Sequence, residues 1–356
     1  MDNKIDLKTV VTRFKENNLP FGILPLQNGM RIVISQRGGR VFGPFLDDDS
    51  PSFSWINKAF AGSESFKEFL LSGHWNLGGE RIWIAPEIQY GCTNREDFFG
   101  SLHLQAAVDP GHYQLEQTGP GHWRLHQAIT LQAHVIAAGE KDLRIDRLIR
   151  PVEDPLRYLS NYQLLIQDIR FAGYEQIIDL QEYKQDDIVS EVWSLFQLNP
   201  GGVLLVPTTG CLEYNDYYNP VDELHQSIYS HHVSLKITGD RQYKVGYKSA
   251  TVFGRLGYFN SLPGDRAYLI VRNFFNNPSA AYTEEIDRLP GSGGYSIHVY
   301  NDDGGLGGFG ELECNGQAIG GYTGRNSSTE QLVLWFYTGE TGKVKNIARH
   351  LLGVDL

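Results

Sequence analysis

The chain has 356 residues, with 42 Asp and Glu against 31 Lys and Arg, which gives a formal net charge of -11. This acidic balance disfavours a nucleic-acid partner, because a polyanion would be repelled. No run approaches the roughly 20 apolar residues of a membrane span, and the N-terminus lacks a signal-peptide core, so we expect a cytoplasmic protein without a membrane partner. The 39 glycines and 12% aromatic residues favour many strands joined by tight turns, hence an all-β fold.

The first predicted element is an amphipathic helix over residues 6–17, where apolar residues from Leu7 to Phe14 recur at helical spacing and Pro20 follows as a stop. From residue 21 onward, short apolar runs broken by Gly, Asn-Gly or Asp predict hairpin strands. A second helix is predicted over residues 63–71, with Ser63 as its N-cap.

The middle of the chain, residues 112–275, is a series of strand-like runs with little helical periodicity, which predicts stacked antiparallel sheets. A final helix is predicted over residues 341–353, with Gly353 at its terminating position. No linker, repeat or change of composition marks a boundary. We therefore expect one domain over residues 1–356, in which residues 1–20 form the N-terminal helix and its lead-in.

The three cysteines, Cys92, Cys211 and Cys314, are odd in number and far apart, unlike a disulfide framework. They are expected to be reduced, buried thiols. The sequence contains no His-Glu-x-x-His, paired Cys-x-x-Cys or Gly-x-Ser-x-Gly motif, so neither a metal nor a cofactor is predicted.

Residues 74–91 carry the densest chemistry of the chain. Arg81 to Ala85 reads as a short strand that Pro86 should stop or place at a sheet edge, with the polar groups at the strand ends. Arg81 offers a planar fork that can hold two adjacent hydroxyls or a carboxylate, and Trp75 and Trp83 offer flat faces for the C–H side of a ring. The alternative is an arginine paired with Glu80 or Glu87 beside two core tryptophans.

A second candidate pattern lies near the C-terminus. Glu311 and Glu313 alternate with Leu312, so the two carboxylates should share one face of a strand. Their repulsion would raise the pKa of one and make it a candidate base, although two solvated glutamates fit the pattern equally well. The preceding glycines, 305–310, match a dinucleotide-binding spacing but lack a following helix, so we interpret them as a loop.

Four short motifs occur in order along the chain: Gly-Gly-Arg at 38–40, Gly-Gly-x-Arg-x-Trp-x-Ala-Pro-Glu at 78–87, Trp-x-Leu-x-Gln at 193–197, and Glu-Leu-Glu near the end. Together they resemble uncharacterised bacterial proteins of the galactose mutarotase-like superfamily, relatives of aldose 1-epimerases. The resemblance spans roughly residues 25–338. It implies a β-supersandwich of large antiparallel sheets, with a sugar site in a cleft on one sheet.

The resemblance also implies roles for single residues. Arg81 matches a sugar-contacting arginine of aldose 1-epimerases, and Glu313 is similar to their late glutamate, a general base for the anomeric hydroxyl. The histidine that serves those enzymes as general acid falls at Trp193 in this chain. An indole cannot deliver a proton to a ring oxygen at neutral pH, so the usual acid and base pair is incomplete.

Two functions are therefore predicted. The first is sugar binding without catalysis, and the second is a sugar-processing activity similar to aldose 1-epimerase, with Glu313 as base and His74 or a second carboxylate as acid. A structural or partner-binding β protein is a third reading. The expected partner is a small carbohydrate, and the sequence leaves the oligomeric state open. The catalytic candidate is Glu313, and the predicted substrate-binding residues are His74, Trp75, Arg81, Trp83, Glu87, Trp193 and Glu311.

Overall fold

A computed structural model describes residues 5–356. Its helices are α1 (Leu7–Glu16), α2 (Ser63–Leu71), α3 (Glu87–Tyr90), α4 (Phe98–Ser101), α5 (Tyr162–Leu165) and α6 (Thr341–Leu352). Its first ten strands are β1 (Phe21–Pro25), β2 (Arg31–Ser35), β3 (Val41–Phe45), β4 (Glu80–Ala85), β5 (Gln114–Gly119), β6 (His122–Ala133), β7 (Gly139–Pro151), β8 (Arg170–Glu182), β9 (Glu191–Leu198) and β10 (Gly202–Pro207). The remaining nine are β11 (Tyr214–Asp216), β12 (Gln226–Ile228), β13 (His232–Ile237), β14 (Tyr243–Lys248), β15 (Arg255–Leu262), β16 (Arg266–Phe274), β17 (Tyr295–Asn301), β18 (Gly310–Asn315) and β19 (Ser327–Glu340).

These strands form two large antiparallel sheets. One has nine strands in the order β1-β2-β3-β4-β9-β18-β17-β14-β11, and the other has ten in the order β12-β13-β10-β15-β16-β19-β8-β7-β6-β5. The chain passes back and forth between the sheets. Strands β1–β4 belong to the nine-stranded sheet, β5–β8 belong to the ten-stranded sheet, and the later strands change sheet every one or two strands. The prediction of large antiparallel sheets with short terminal helices is confirmed.

The main hydrophobic core lies between the sheets. Ile82 of β4 and Phe196 of β9 belong to the same buried cluster as Ile178 of β8 and Phe336 of β19. Because successive strand residues point to opposite faces, the residues between these apolar positions are turned outward, away from the core. The outer face of the nine-stranded sheet therefore receives the alternate residues of its central strands.

The two terminal helices cover different sheets. In α1, the Asp6 carboxylate accepts the Thr9 N–H at 2.8 Å as an N-cap, and Phe14 packs with Phe42 and Phe60 in a separate apolar cluster. Helix α6 lies on the ten-stranded sheet and ends at Gly353, whose φ of 68° is one that glycine adopts without strain. Both predicted helices are confirmed to within one or two residues.

Two sequence predictions need correction. Ser63 is the first residue of α2 instead of its cap, because its hydroxyl donates to Glu16 Oε2 at 3.0 Å while Gly62 precedes the helix. Cys211 is exposed, whereas Cys92 and Cys314 are buried free thiols as expected. Of the two outcomes predicted for Pro86, the structure shows the first: the ladder of β4 stops there, and β4 lies inside its sheet between β3 and β9. None of the helices within residues 5–356 is long and apolar enough to cross a membrane.

Candidate functional site

A cavity of about 320 Å³ opens on the outer face of the nine-stranded sheet. Five charged side chains line it together with tryptophans 75, 83 and 193: Arg81, Glu87, Lys244, Glu311 and Glu313. A larger hollow of about 710 Å³ lies near Trp55 and Tyr268, but Lys58 is the one charged side chain among the described residues that line it. The smaller cavity is therefore the better candidate for a functional site, because more charged side chains line it.

Strand register brings the distant sequence motifs together. Arg81 of β4 is paired with Leu195 of β9, which is in turn paired with Glu313 of β18. Trp83 is paired with Trp193 across the same two strands. Arg81, Trp83 and Trp193 thus point to the same side of the sheet as Glu313. The sequence had predicted these groups at strand ends, but they lie within the strands.

Glu313 is buried at the floor of the cavity. The indole N–H of Trp193 donates to its Oε2 at 2.8 Å, whereas its Oε1 makes no hydrogen bond with any described residue and is not sealed from the cavity. Burial raises the pKa of Glu313 from its ordinary 4.5 to about 8; the nearby Lys244 ammonium lowers it and the Glu311 carboxylate raises it. At neutral pH this carboxyl is mostly protonated and can donate a hydrogen bond through its free oxygen.

Arg81 is held by a buried ion pair. Its Nη1 donates to Glu311 Oε1 at 2.7 Å, and Gln197 Nε2 donates to the same oxygen at 3.0 Å. The guanidinium lies 4.9 Å from the Trp75 ring centroid and 4.4 Å from that of Trp83. Its Nη2 has no partner among residues 5–356 and is not enclosed, so it is a donor available to a ligand.

The partners suggested as alternatives for Arg81 are engaged elsewhere. Glu80 points into the core, where it pairs with Arg272 and accepts the Tyr174 hydroxyl at 2.6 Å. Glu87 pairs with Lys244 at 3.0 Å. The outcome for Glu80 follows from strand alternation, because Glu80 precedes Arg81 on β4 and must face the opposite side of the sheet.

Lys244 of β14 is a cavity residue that sequence reasoning missed. Its ammonium lies 4.5 Å from the Trp193 ring centroid and 4.9 Å from that of Tyr217, in addition to its pair with Glu87. Burial lowers the pKa of Lys244, but the carboxylates of Glu87, Glu313 and Glu284 outweigh burial and place the pKa well above its ordinary value. The lysine therefore stays protonated, and it covers one face of Trp193.

Buried carboxyls behind the cavity hold its wall in place. The Glu87 N–H donates to Glu284 Oε2 at 2.6 Å, and Glu191 accepts the N–H groups of Thr283 at 2.8 Å and Glu284 at 3.2 Å. Burial raises the pKa values of Glu191 and Glu284 to about 8 each; hydrogen bonds oppose the shift at Glu191, and the charge of Lys244 opposes it at Glu284. These groups orient the segment that positions Glu87.

One buried arginine, Arg40, holds the segments that carry the two half-buried tryptophan rings of the cavity, Trp75 and Trp83. Arg40 donates to the carbonyl oxygens of Gly78 at 2.8 Å and Trp75 at 3.1 Å, and it pairs with Asp109 at 2.5 Å. The same Asp109 carboxylate accepts the Trp83 indole N–H at 3.2 Å. The Gly-Gly-Arg motif noted in the sequence therefore supports the aromatic part of the cavity from behind.

The glycine-rich loop at 302–309 forms another wall. The Asp302 carboxylate accepts backbone N–H groups from Gly304 at 3.0 Å and Gly308 at 2.8 Å, and a weaker one from Leu306 at 3.2 Å. Leu306 and Phe309 line the cavity. The loop continues into strand β18, so the nominal dinucleotide motif is a wall of the cavity and lacks the helix that a phosphate site requires.

His74 lies away from the cavity. It is exposed, and its ring stacks on Phe69 of α2 with centroids 5.5 Å apart, because it follows directly on the end of that helix. His74 is not among the residues that line the cavity, so its position gives no support to the predicted role in binding or acid catalysis at this site. Within residues 5–356 no group of three or more His, Cys, Asp or Glu side chains is arranged to hold a metal ion.

Comparison with known proteins places the chain in a family. Residues 20–356 match the model of DUF6786, described as a family of unknown function. The chain belongs to this family. No curated protein matches it.

Solved structures resemble this DUF6786 chain across most of its length. A galactose mutarotase related enzyme from Lactobacillus acidophilus is 8% identical, with 90% of this chain and 97% of that chain covered and a TM-score of 0.40. A putative aldose 1-epimerase from Klebsiella pneumoniae is 10% identical, with 92% and 81% covered and a TM-score of 0.44.

The structure brings most of the sequence-predicted site residues of the DUF6786 chain to one concave surface. Those that line the cavity are Trp75, Arg81, Trp83, Glu87, Trp193, Glu311 and Glu313. The residues that sequence reasoning missed include Lys244, Gln197 and Arg40. A strand pattern could place Lys244 on a face, but only the register of β14 beside β17 shows which site that face meets.

Proposed function

We propose that the cavity binds a small carbohydrate. The observation that carries the proposal is the convergence of two free polar groups, Glu313 Oε1 and Arg81 Nη2, beside the half-buried rings of Trp75 and Trp83. A sugar hydroxyl both donates and accepts, so it suits a site that offers a carboxyl and a guanidinium together. The C–H face of a pyranose packs on indole surface.

The dimensions of the cavity favour a short ligand. Small-molecule pockets occupy roughly 300–1,000 Å³, and this cavity, at about 320 Å³, lies at the lower end of that range. One or two sugar rings are therefore a better match than a long polysaccharide chain. The tryptophan rings, whose centroids are 5.1 Å apart and whose planes are tilted by 55°, form a corner and not a flat track.

The test is titration calorimetry of the purified protein with a panel of aldoses and short oligosaccharides. We expect saturable binding to at least one sugar, and Glu313→Gln should weaken it about 10- to 100-fold, because it replaces the hydroxyl donor and perturbs the Trp193 contact. Glu64→Gln, the same change at an exposed position of α2, is the matched control and should leave the affinity unaltered. An absence of heat with every sugar would contradict the proposal.

A sugar-processing activity is the second candidate, and the raised pKa of Glu313 favours it. A carboxyl with a pKa of about 8 is poised for proton transfer near neutrality. As a base for an anomeric hydroxyl, Glu313 would act in its ionised form, so the rate should rise with pH through about 8. Binding remains the primary proposal because Trp193 occupies the position of the missing histidine, and His103, which also lines the cavity, makes its hydrogen bond with the Ser101 carbonyl oxygen and none with Glu313.

Polarimetry on freshly dissolved aldoses at several pH values tests this second candidate. Acceleration of mutarotation that rises through pH 8, and that disappears in Glu313→Gln even at sugar concentrations that calorimetry shows to saturate the variant, would support it. A protein that binds sugars but leaves every mutarotation rate unchanged would leave binding as the function and exclude this reaction.

A further inference from the structure

Both cations of the cavity are already neutralised by the protein. Lys244 pairs with Glu87 at 3.0 Å, with 4% and 18% of the two side chains exposed. Arg81 pairs with Glu311 at 2.7 Å, with 2% and 6% exposed. Ion pairs this deeply buried hold their geometry, because removing one partner leaves an uncompensated charge.

The remaining carboxyl group in the cavity is that of Glu313. Glu313 accepts the Trp193 indole N–H and has no Lys or Arg nitrogen within 4.0 Å among the described residues. His103 also lines the cavity, but its Nδ1 lies 3.3 Å from the Ser101 carbonyl oxygen, a neighbour that takes up one ring nitrogen. An anionic ligand would therefore find no unpaired lysine or arginine and would lie against three carboxyl groups.

We propose that the cavity selects uncharged sugars against anionic ones such as uronates and sugar phosphates, and that Glu87 and Glu311 are the residues that determine this specificity. The inference rests on the proposed carbohydrate binding and deepens it. A ligand carboxylate or phosphate would lose its hydration without gaining a counter-charge, which is an effective way to reject a close analogue.

Cationic sugars are disfavoured for a complementary reason. The ammonium of an amino sugar would approach Lys244 or Arg81, which flank Glu313 on either side. At neutral pH the Glu313 carboxyl offers little compensating charge, because burial raises its pKa to about 8. An uncharged polyol is the ligand that leaves both internal ion pairs intact.

The first arm of the experiment uses the unaltered protein at pH 7. Calorimetry compares an uncharged hexose that binds with the uronate and the 2-amino sugar of the same configuration. We expect the uncharged sugar to bind at least about tenfold more tightly than either analogue. If the uronate or the amino sugar binds equally well or better, the selectivity proposal is overturned while carbohydrate binding stands. If no sugar of any charge binds, the proposed function itself fails.

The second arm removes one counter-charge. Glu87→Gln keeps the side-chain shape but frees Lys244, so the ratio of uronate affinity to uncharged-sugar affinity should rise about tenfold. The double variant Glu87→Gln/Lys244→Met removes both charges and should lose that gain. Glu64→Gln is the surface control and should change neither affinity.

Folding of each variant is checked by circular dichroism before the titrations. If Glu87→Gln does not fold, Glu311→Gln provides the same test from the other side, because it frees Arg81. A folded variant of either kind whose ratio of uronate to uncharged-sugar affinity equals that of the unaltered protein would overturn the assignment of Glu87 and Glu311.

Discussion

The outer faces of the two sheets of this protein differ in solvent exposure. Along β6 of the ten-stranded sheet, buried and exposed residues alternate from Gln127 to Ala133, so one side meets the core and the other meets water. Along β9 of the nine-stranded sheet, all eight residues from Glu191 to Leu198 are buried. One sheet is half solvated, and the central part of the other is covered on both faces.

This difference in exposure shows that polar residues on the outer face of the nine-stranded sheet are shielded from water, as a binding site requires. The outer face of β9 carries Glu191, Trp193 and Gln197 beneath the covering loops, whereas the outer face of β6 carries Thr130 and Gln132 in solvent. Burial alone therefore does not distinguish core from site in the nine-stranded sheet. The direction in which each side chain points does.

The largest effect that separates the two regions should be a dependence of stability on pH. Glu191, Glu284 and Glu313 all have pKa values raised by burial from 4.5 to about 8. The folded protein therefore holds these protons more tightly than the unfolded chain does. Their contribution to stability is complete below pH 4.5 and is lost as the pH rises through about 8. Glu330 of β19, with a pKa of about 7, adds to the same trend.

Urea unfolding at several pH values between 5 and 9 measures this dependence. Glu313→Gln should flatten the decline, and Glu64→Gln should not. For Asp146, a residue of β7 in the half-solvated sheet, the sign is opposite, because the hydrogen bond from Arg124 lowers its pKa and its contribution is lost as the pH falls below 3.8. A stability that rises between pH 5 and 8 would contradict the assignment of protonated carboxyls to the cavity side.

A second comparison uses neighbouring residues on one strand. Phe196→Ala should cost about 3–5 kcal/mol of unfolding free energy, because it leaves a void between the sheets. Leu195→Ala, one residue earlier, should cost less stability but change sugar affinity, since Leu195 lines the cavity. On β6, Thr130→Ala should fall within about 0.5 kcal/mol of the unaltered protein. Equal effects of the Phe196 and Leu195 changes on affinity would mean that the two faces are not distinct.

A smaller cost in stability than that of Phe196→Ala is expected for a change behind the corner formed by Trp75 and Trp83. Arg40→Lys keeps the charge but loses part of the three contacts to Gly78, Trp75 and Asp109, at a cost of about 1–3 kcal/mol. Near-ultraviolet circular dichroism should change because both indoles lose their orientation, and sugar affinity should fall. Arg37→Lys, at a neighbouring arginine without a side-chain hydrogen bond to any described residue, is the control. Unchanged tryptophan signals in Arg40→Lys would argue against the positioning role.

Local patterns predicted much of the fold and part of the site. Helical spacing identified α1, α2 and α6, and strand alternation placed Glu311 and Glu313 on one face. Pairing partners were not predictable, because the register between strands distant in sequence depends on packing of the whole sandwich. The pairing of Arg81 with Glu311 and the position of Lys244 in the cavity both depend on this register, so local patterns could not predict them.

The loop anchored by Asp302 has a consequence for how quickly a ligand enters. Because one carboxylate already fixes the backbone of Gly304, Leu306 and Gly308, this wall is preformed before any encounter. Association then requires no ordering of the loop, so the cavity loses little chain entropy when it fills. The bimolecular rate constant should be governed by diffusion and orientation at the mouth, and differences in affinity among sugars should arise mainly from how long each one stays.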